Sequence, residues 1–255
     1  MAPETALETM AAEVTARIAA TRVITRPFPH IALDDVLPAP VRRAIDEAWP
    51  APDLMLQTNF GRRRERTVSQ LMQITDGRDR AVWRAVHYLM AVASVAIRRK
   101  LERHLGDKFR PLIGPDWRRR MRGVDYAPSD CQIAEYRGSI ELDPHVDHAR
   151  IVVNGFVYLD DPEPVPPEPK RGTMLYSSRG FAWPSNLVIP PNVRQRFLRP
   201  EKEIAWQDNR LFAYVNGPWS FHGVDPHDLG DARRRLLMLG TLLRWETVTA
   251  LFGED

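Results

Sequence analysis

Two histidines and an aspartate, set far apart in the chain, constrain its fold more than any other feature. In Asp143-Pro144-His145-Val146-Asp147, His145 and Asp147 have the spacing at which side chains of an extended strand point the same way. Both can then reach one ion while Val146 turns away into packing. The third ligand must come from another strand. His222, in Trp219-Ser220-Phe221-His222-Gly223-Val224, follows the apolar run Arg210-Leu211-Phe212-Ala213-Tyr214-Val215 and the turn-forming Asn216-Gly217-Pro218. Two imidazoles and one carboxylate on one face of a metal leave the opposite positions open, which suits Fe(II) and O₂ chemistry. A closed structural zinc site wants four ligands, usually thiolates, and the single Cys131 cannot build one.

The flanking segments read as strands. Ile151-Val152-Val153-Asn154-Gly155-Phe156-Val157-Tyr158-Leu159 follows the first pair, and Ala232-Arg233-Arg234-Arg235-Leu236-Leu237-Met238-Leu239-Gly240-Thr241-Leu242 follows His222. An arginine entering a buried apolar strand is costly unless an anion awaits it.

On these residues the chain resembles the 2-oxoglutarate- and Fe(II)-dependent oxygenases, particularly their prolyl-hydroxylase-like branch. The resemblance covers roughly residues 125–245, and Pro27 to Pro38 is similar to the entry segment of many bacterial members. It implies an α+β fold: a double-stranded β-helix, or jelly roll, buttressed by N-terminal helices. It further implies that His145, Asp147 and His222 bind Fe(II) and carry the catalysis. A basic residue about a dozen positions after the distal histidine would grip the far carboxylate of 2-oxoglutarate, and Arg233, Arg234 and Arg235 lie in that interval. Aligning on Gly240 selects Arg235 and aligning on Ala232 selects Arg233; these two share a strand face and Arg234 points the other way. The serine that usually assists is missing in either register. Tyr136 and Tyr158 match positions where related hydroxylases direct phenols toward 2-oxoglutarate; the alternative is ordinary half-buried strand aromatics. With O₂ as co-reactant, the implied reaction hydroxylates an unactivated C–H of an amino acid, peptide or small natural product, releasing succinate and CO₂. Related halogenases replace the carboxylate ligand with a small residue, so Asp147 favours hydroxylation.

Composition is compatible with one globular enzyme domain over residues 1–255: 44% hydrophobic and 27% charged residues can bury a core. Residues 1–124 are expected to be a mainly helical support and 125–245 the jelly-roll catalytic core. Residues 4–20 are helix-prone, Pro40 to Trp49 places Val41, Ile45 and Trp49 at helical spacing, and Arg80 to Leu105 holds the longest helical pattern. The proline-rich segment Asp160 to Pro169 cannot be a central strand and is expected to be an exposed loop. No apolar run is long enough for a membrane span, and the start lacks a secretory pattern; with one cysteine, a reducing cytoplasm is expected. The pI near 9.2 and the clusters Arg62 to Arg64 and Arg118 to Arg120 raise nucleic acid as a partner. A net charge of only +3 and dispersed acidic residues favour a solvated surface and a small-molecule or peptide substrate instead. Arg62 to Arg66 are placed by position as a lid. His30, His87 and His104 are read as capping, packing or solvent-facing residues, His148 as solvent-facing or else a hydrogen-bond partner beside Asp147, and His227 as a loop residue in the turn after Asp225-Pro226. Two further classes fit the same motif: a non-catalytic jelly-roll binding module for a metal or ligand, and a zinc hydrolase built on the same triad.

Overall fold

The computed structural model describes residues 3–58, 63–160, 170–180, 182–183 and 189–253. Helices dominate the first half: α1 (Pro3–Ala20), α2 (Ala39–Glu47), α3 (Val68–Ile74), α4 (Gly77–Leu101), α5 (Gly106–Ile113) and α6 (Trp117–Arg120). Proline fixes the first turn of α2, which buries Val41 and Ile45. The long α4 buries Trp83, Val86, Leu89, Met90, Ala93, Ile97 and Leu101, an apolar stripe at helical spacing. Each Val, Leu, Ile or Met of that stripe, taken fully from water, stabilises by about 1.5–3 kcal/mol. That stripe packs with Ala11, Val14 and Ile18 of α1 against Ile133, Val153, Val157, Leu237 and Leu239, which come from one face of a sheet.

The helical half also supplies strands, which a mainly helical reading of 1–124 did not include. These are β1 (His30–Leu33), β2 (Leu56–Gln57) and β3 (Arg63–Thr67); the rest are β4 (Tyr126–Pro128), β5 (Gln132–His145), β6 (Ile151–Leu159), β7 (Thr173–Ser178), β8 (Leu198–Ile204), β9 (Arg210–Val215) and β10 (His222–Leu243). Helix α7 (Pro191–Phe197) precedes β8, and α8 (Trp245–Phe252) follows β10. The major sheet runs β2-β3-β5-β10-β6-β9-β1, with its neighbouring strands paired antiparallel. A second sheet is made by β8 and β7 together with the first residues of β10. The long strands β5 and β10 pass from one sheet to the other through register shifts, as strands do at the bends of a sandwich. This is a jelly roll with helices on the outer face of the major sheet. Its inner face meets the minor sheet through Ala134, Tyr158, Leu175, Ile204, Phe212, Tyr214 and Leu236.

The entry segment resembling that of bacterial oxygenases contributes β1, which pairs along β9. Arg63 to Arg66 are not a lid: they lie in β3 and pair in register with β5. Arg62, and residues 161–169 of the proline-rich segment, lie outside the described residues.

Candidate metal centre and cavity

The sheet brings the triad together through direct strand pairing. His222 opens β10 directly opposite His145, the last residue of β5, and their ring centroids are 4.4 Å apart. Gly223 permits this approach, because a Cβ there would stand 2.5 Å from the Leu142 carbonyl. Asp147 differs from expectation in one respect: the strand ends at His145, and Asp147 lies just beyond it. Val146 still turns away, into a cluster with Tyr176 and Phe221.

Asp147 Oδ1 lies 3.9 Å from His145 Nε2, and Asp147 Oδ2 lies 3.8 Å from His222 Nε2. Both separations are below twice an ordinary metal–ligand bond of about 2.1 Å, so one ion can bridge the three groups. Each imidazole is oriented for that role. Nδ1 of His145 donates to the Asp143 carbonyl at 2.8 Å and Nδ1 of His222 to the Ser220 carbonyl at 2.9 Å, which directs both Nε2 lone pairs inward. Burial holds both imidazoles below the ordinary histidine value; for His222, burial and then His145 outweigh the pull of Asp147 and bring it to about 4. Burial pushes the Asp147 carboxyl up. The two imidazoles and hydrogen bonds from Tyr214 and Asn154 outweigh this and leave it below the usual carboxylate range. Neutral imidazoles beside a carboxylate are the protonation states a divalent metal requires, so the residues fit Fe(II).

Two groups that sequence reasoning missed complete the centre. The phenol of Tyr214 donates to Asp147 Oδ2, and its oxygen lies 2.9 Å from His222 Nε2. Asn154 Nδ2 donates to the same carboxylate oxygen at 3.0 Å. Burial, then the Asp147 charge, raises the Tyr214 phenol well above its ordinary value, so it remains a donor.

A cavity of about 300 Å³ between the sheets contains the triad and runs to Arg234, past Tyr136, Phe156, Tyr158, Leu236 and Met238. Arg234 is 3% exposed and forms no ion pair or hydrogen bond with another described residue. Its guanidinium is flanked by aromatic rings, 4.6 Å from the Trp206 centroid and 5.9 Å from that of Tyr136. Burial lowers its pKa from the ordinary value, although a guanidinium stays charged at neutral pH. Tyr136 and Tyr158 both line the cavity, and the Tyr158 hydroxyl lies 2.6 Å from Thr173 Oγ1. Arg63 lines it too, its guanidinium 5.6 Å from the Tyr136 centroid.

The face assigned to the three arginines is therefore corrected. Arg233 and Arg235 do share a face, but it is the one away from the cavity. Arg235 Nη1 lies 3.5 Å from Asp46 Oδ1, and its guanidinium stacks 4.8 Å from the Trp49 centroid. Arg233 Nη1 lies 3.7 Å from Glu135 Oε2. The cavity receives Arg234, Leu236, Met238 and Gly240, while Leu237 and Leu239 join the helical core. With both faces of β10 buried, its apolar run has no alternation from which to read the facing. Counting from His222 is unreliable because three register shifts intervene.

The sequence matches no family model and no curated protein. Solved structures do match. An oxidoreductase of the 2OG-Fe(II) oxygenase family from Burkholderia pseudomallei superposes over 91% of this chain and 89% of its own, at a TM-score of 0.50 and 10% identity. The non-heme α-ketoglutarate-dependent epimerase SnoN from nogalamycin biosynthesis superposes over 94% of this chain and 81% of its own, at 0.52 and 12%. A prolyl-4-hydroxylase from Pseudomonas putida is matched over 92% of this chain and 99% of its own, at 0.47 and 16%. The chain has the fold of the 2-oxoglutarate- and Fe(II)-dependent oxygenases. Among the described residues no helix is long and apolar enough to cross a membrane.

Proposed function

We propose that this chain is an Fe(II)- and 2-oxoglutarate-dependent dioxygenase that hydroxylates an unactivated C–H of an amino acid, a peptide or a small natural product. His145, Asp147 and His222 would hold the iron, and Arg234 would take the far carboxylate of 2-oxoglutarate. The observation that carries this reading is the isolation of Arg234. Keeping a charge buried without a partner costs several kcal/mol, and the cavity containing this unpaired guanidinium also contains the triad. An anionic ligand reaching from the triad to Arg234 would supply the missing charge in a bidentate, charge-assisted pair.

When bound, Fe(II) and 2-oxoglutarate together supply the activation of O₂, with succinate and CO₂ as by-products. The chain's own residues orient and shield. Tyr214 and Asn154 hold Asp147 Oδ2 and so fix the rotation of the carboxylate. Trp206 and Tyr136 fix the plane of Arg234. Phe156, Leu236 and Met238 line the space between with apolar surface, which strengthens a charge pair formed there.

Succinate release tests the reading. Protein loaded anaerobically with Fe(II), then given 2-oxoglutarate and air without a substrate, is expected to form succinate slowly, and an Asp147→Ala variant none above background. If wild type does not exceed that variant, the reading gives way to a non-catalytic jelly-roll binding module.

A further inference from the structure

The two histidines are fixed by the strand ladder, whereas Asp147 has left it. What holds its main chain is a single amide side chain. We propose that Asn216 is a positioning residue that locks the two ligand-bearing segments together, supported by Lys108; this rests on the metal-site reading above.

Asn216 lies between β9 and β10, is 1% exposed, and spans both segments with its one amide. Its Oδ1 accepts the Asp147 main-chain N–H at 3.2 Å and, at 3.2 Å, shares the single Ser220 hydroxyl proton with the Gly217 carbonyl 2.8 Å from that hydroxyl. Its Nδ2 faces the carbonyls of Asp147, His148 and Ile151 at 3.3, 3.0 and 3.0 Å, two hydrogens shared among three acceptors. Its own main-chain N–H donates to Val152 at 3.0 Å. Through Ser220, whose carbonyl accepts from His222 Nδ1, a continuous chain of bonds runs from the His222 ring to the Asp147 backbone.

Lys108 closes the remaining side. It is 1% exposed, and its Nζ donates to the Ala149 carbonyl at 2.7 Å. Four carbonyls of the connection from Asp147 to Ile151 thus turn toward two buried side chains. Buried carbonyls need such partners, and a connection that has left the sheet gets few from a ladder. Gly217 lets α5 come this close, since a Cβ there would lie 3.2 Å from the Asp107 carbonyl and from Lys108 Cα. Only a side chain that both donates and accepts can serve Asn216's place: a leucine offers neither group, and an aspartate would face three carbonyls with a negative charge.

The experiment compares Mn(II) affinity, by calorimetry, in wild type, Asn216→Ala and a control, Asn209→Ala. Asn209 is also buried, and its amide bonds both backbone groups of Leu37, outside the metal centre. Both variants are expected to melt at lower temperature, but only Asn216→Ala should lose Mn(II) affinity, by about tenfold or more, as loss of a group orienting a metal ligand does. Where Asn216→Ala does not fold, Ser220→Ala takes its place and should give a smaller loss of the same sign. Wild-type affinity in Asn216→Ala (or in Ser220→Ala standing in for it), or an equal loss in Asn209→Ala, overturns the proposal. A wild-type chain that takes up no Mn(II) overturns the metal reading, and this inference with it.

Discussion

Arg234 and Arg235 are adjacent in sequence and both nearly buried, yet they serve opposite faces of β10 and have opposite electrostatic surroundings. Arg235 faces the helices, with Asp46, Glu135 and the Trp49 ring around it. Glu135, 2% exposed, also accepts the Trp49 indole N–H at 3.0 Å and the Arg137 guanidinium at 2.8 Å. Arg234 faces the cavity with two aromatic rings and, among the described residues, no ion pair; Glu203 acts on it only from beyond ion-pair distance. A buried cation paired within the fold is a strut; on the proposed reading, one left without an ion pair beside a cavity is a receptor. Stability and ligand affinity should therefore separate cleanly between the two faces.

The largest effect is expected on the helix face. Glu135→Leu removes the carboxylate around which Arg137, Arg233 and Arg235 gather, and should lower unfolding free energy by about 3–5 kcal/mol in urea denaturation. A loss below about 1 kcal/mol would mean that the cluster is not a strut.

Lys108 extends the comparison to pH. Burial depresses its pKa to about 7, with Asp147 pulling it back up, against roughly 10.4 in an unfolded chain. Between these values the unfolded chain holds a proton that the folded chain has released. Stability conferred through this group therefore rises with pH across that window and levels off below about 7. Urea midpoints at pH 7 and 9.5 should rise more in wild type than in Lys108→Met; equal changes in the two proteins would contradict the assignment.

The smallest effect, and the one of opposite sign, is on the cavity face. Arg234→Met exchanges an unpaired buried charge for an apolar side chain, and should leave the metal-free protein as stable as wild type or about 1 kcal/mol more so. A melting temperature lowered as far as in Glu135→Leu would show that Arg234 is structural.

Much of this architecture was legible in the sequence, for reasons that differ by element. The spacing of His145, Asp147 and His222 requires two strands to meet, and β5 and β10 pair at those histidines. The apolar stripe of α4 and the proline opening α2 report helices because one face of each is buried. Strand β3 was hidden: Arg63, Arg64, Glu65 and Arg66 look like a solvated run, and pairing with β5 makes it a strand. The facing of the arginines was hidden by the two-sided burial of Leu236 to Leu239. Tyr214 and Asn154 sit in apolar strands where a polar atom declares no partner until the fold brings Asp147 to it. Asn216 was visible only as a turn residue, since nothing in Asn216-Gly217-Pro218 tells that its amide crosses to Asp147.

The most direct test of the central claim is a calorimetric titration of 2-oxoglutarate into the Mn(II)-loaded protein, run in parallel on wild type, Arg234→Ala and Arg235→Ala. Loss of a charge-assisted pair in a dry pocket corresponds to about 2–4 kcal/mol, or roughly thirty- to a thousandfold in affinity. That loss is predicted for Arg234→Ala alone, with Mn(II) binding intact in all three. An equal or larger loss in Arg235→Ala, or wild-type affinity in Arg234→Ala, would contradict it.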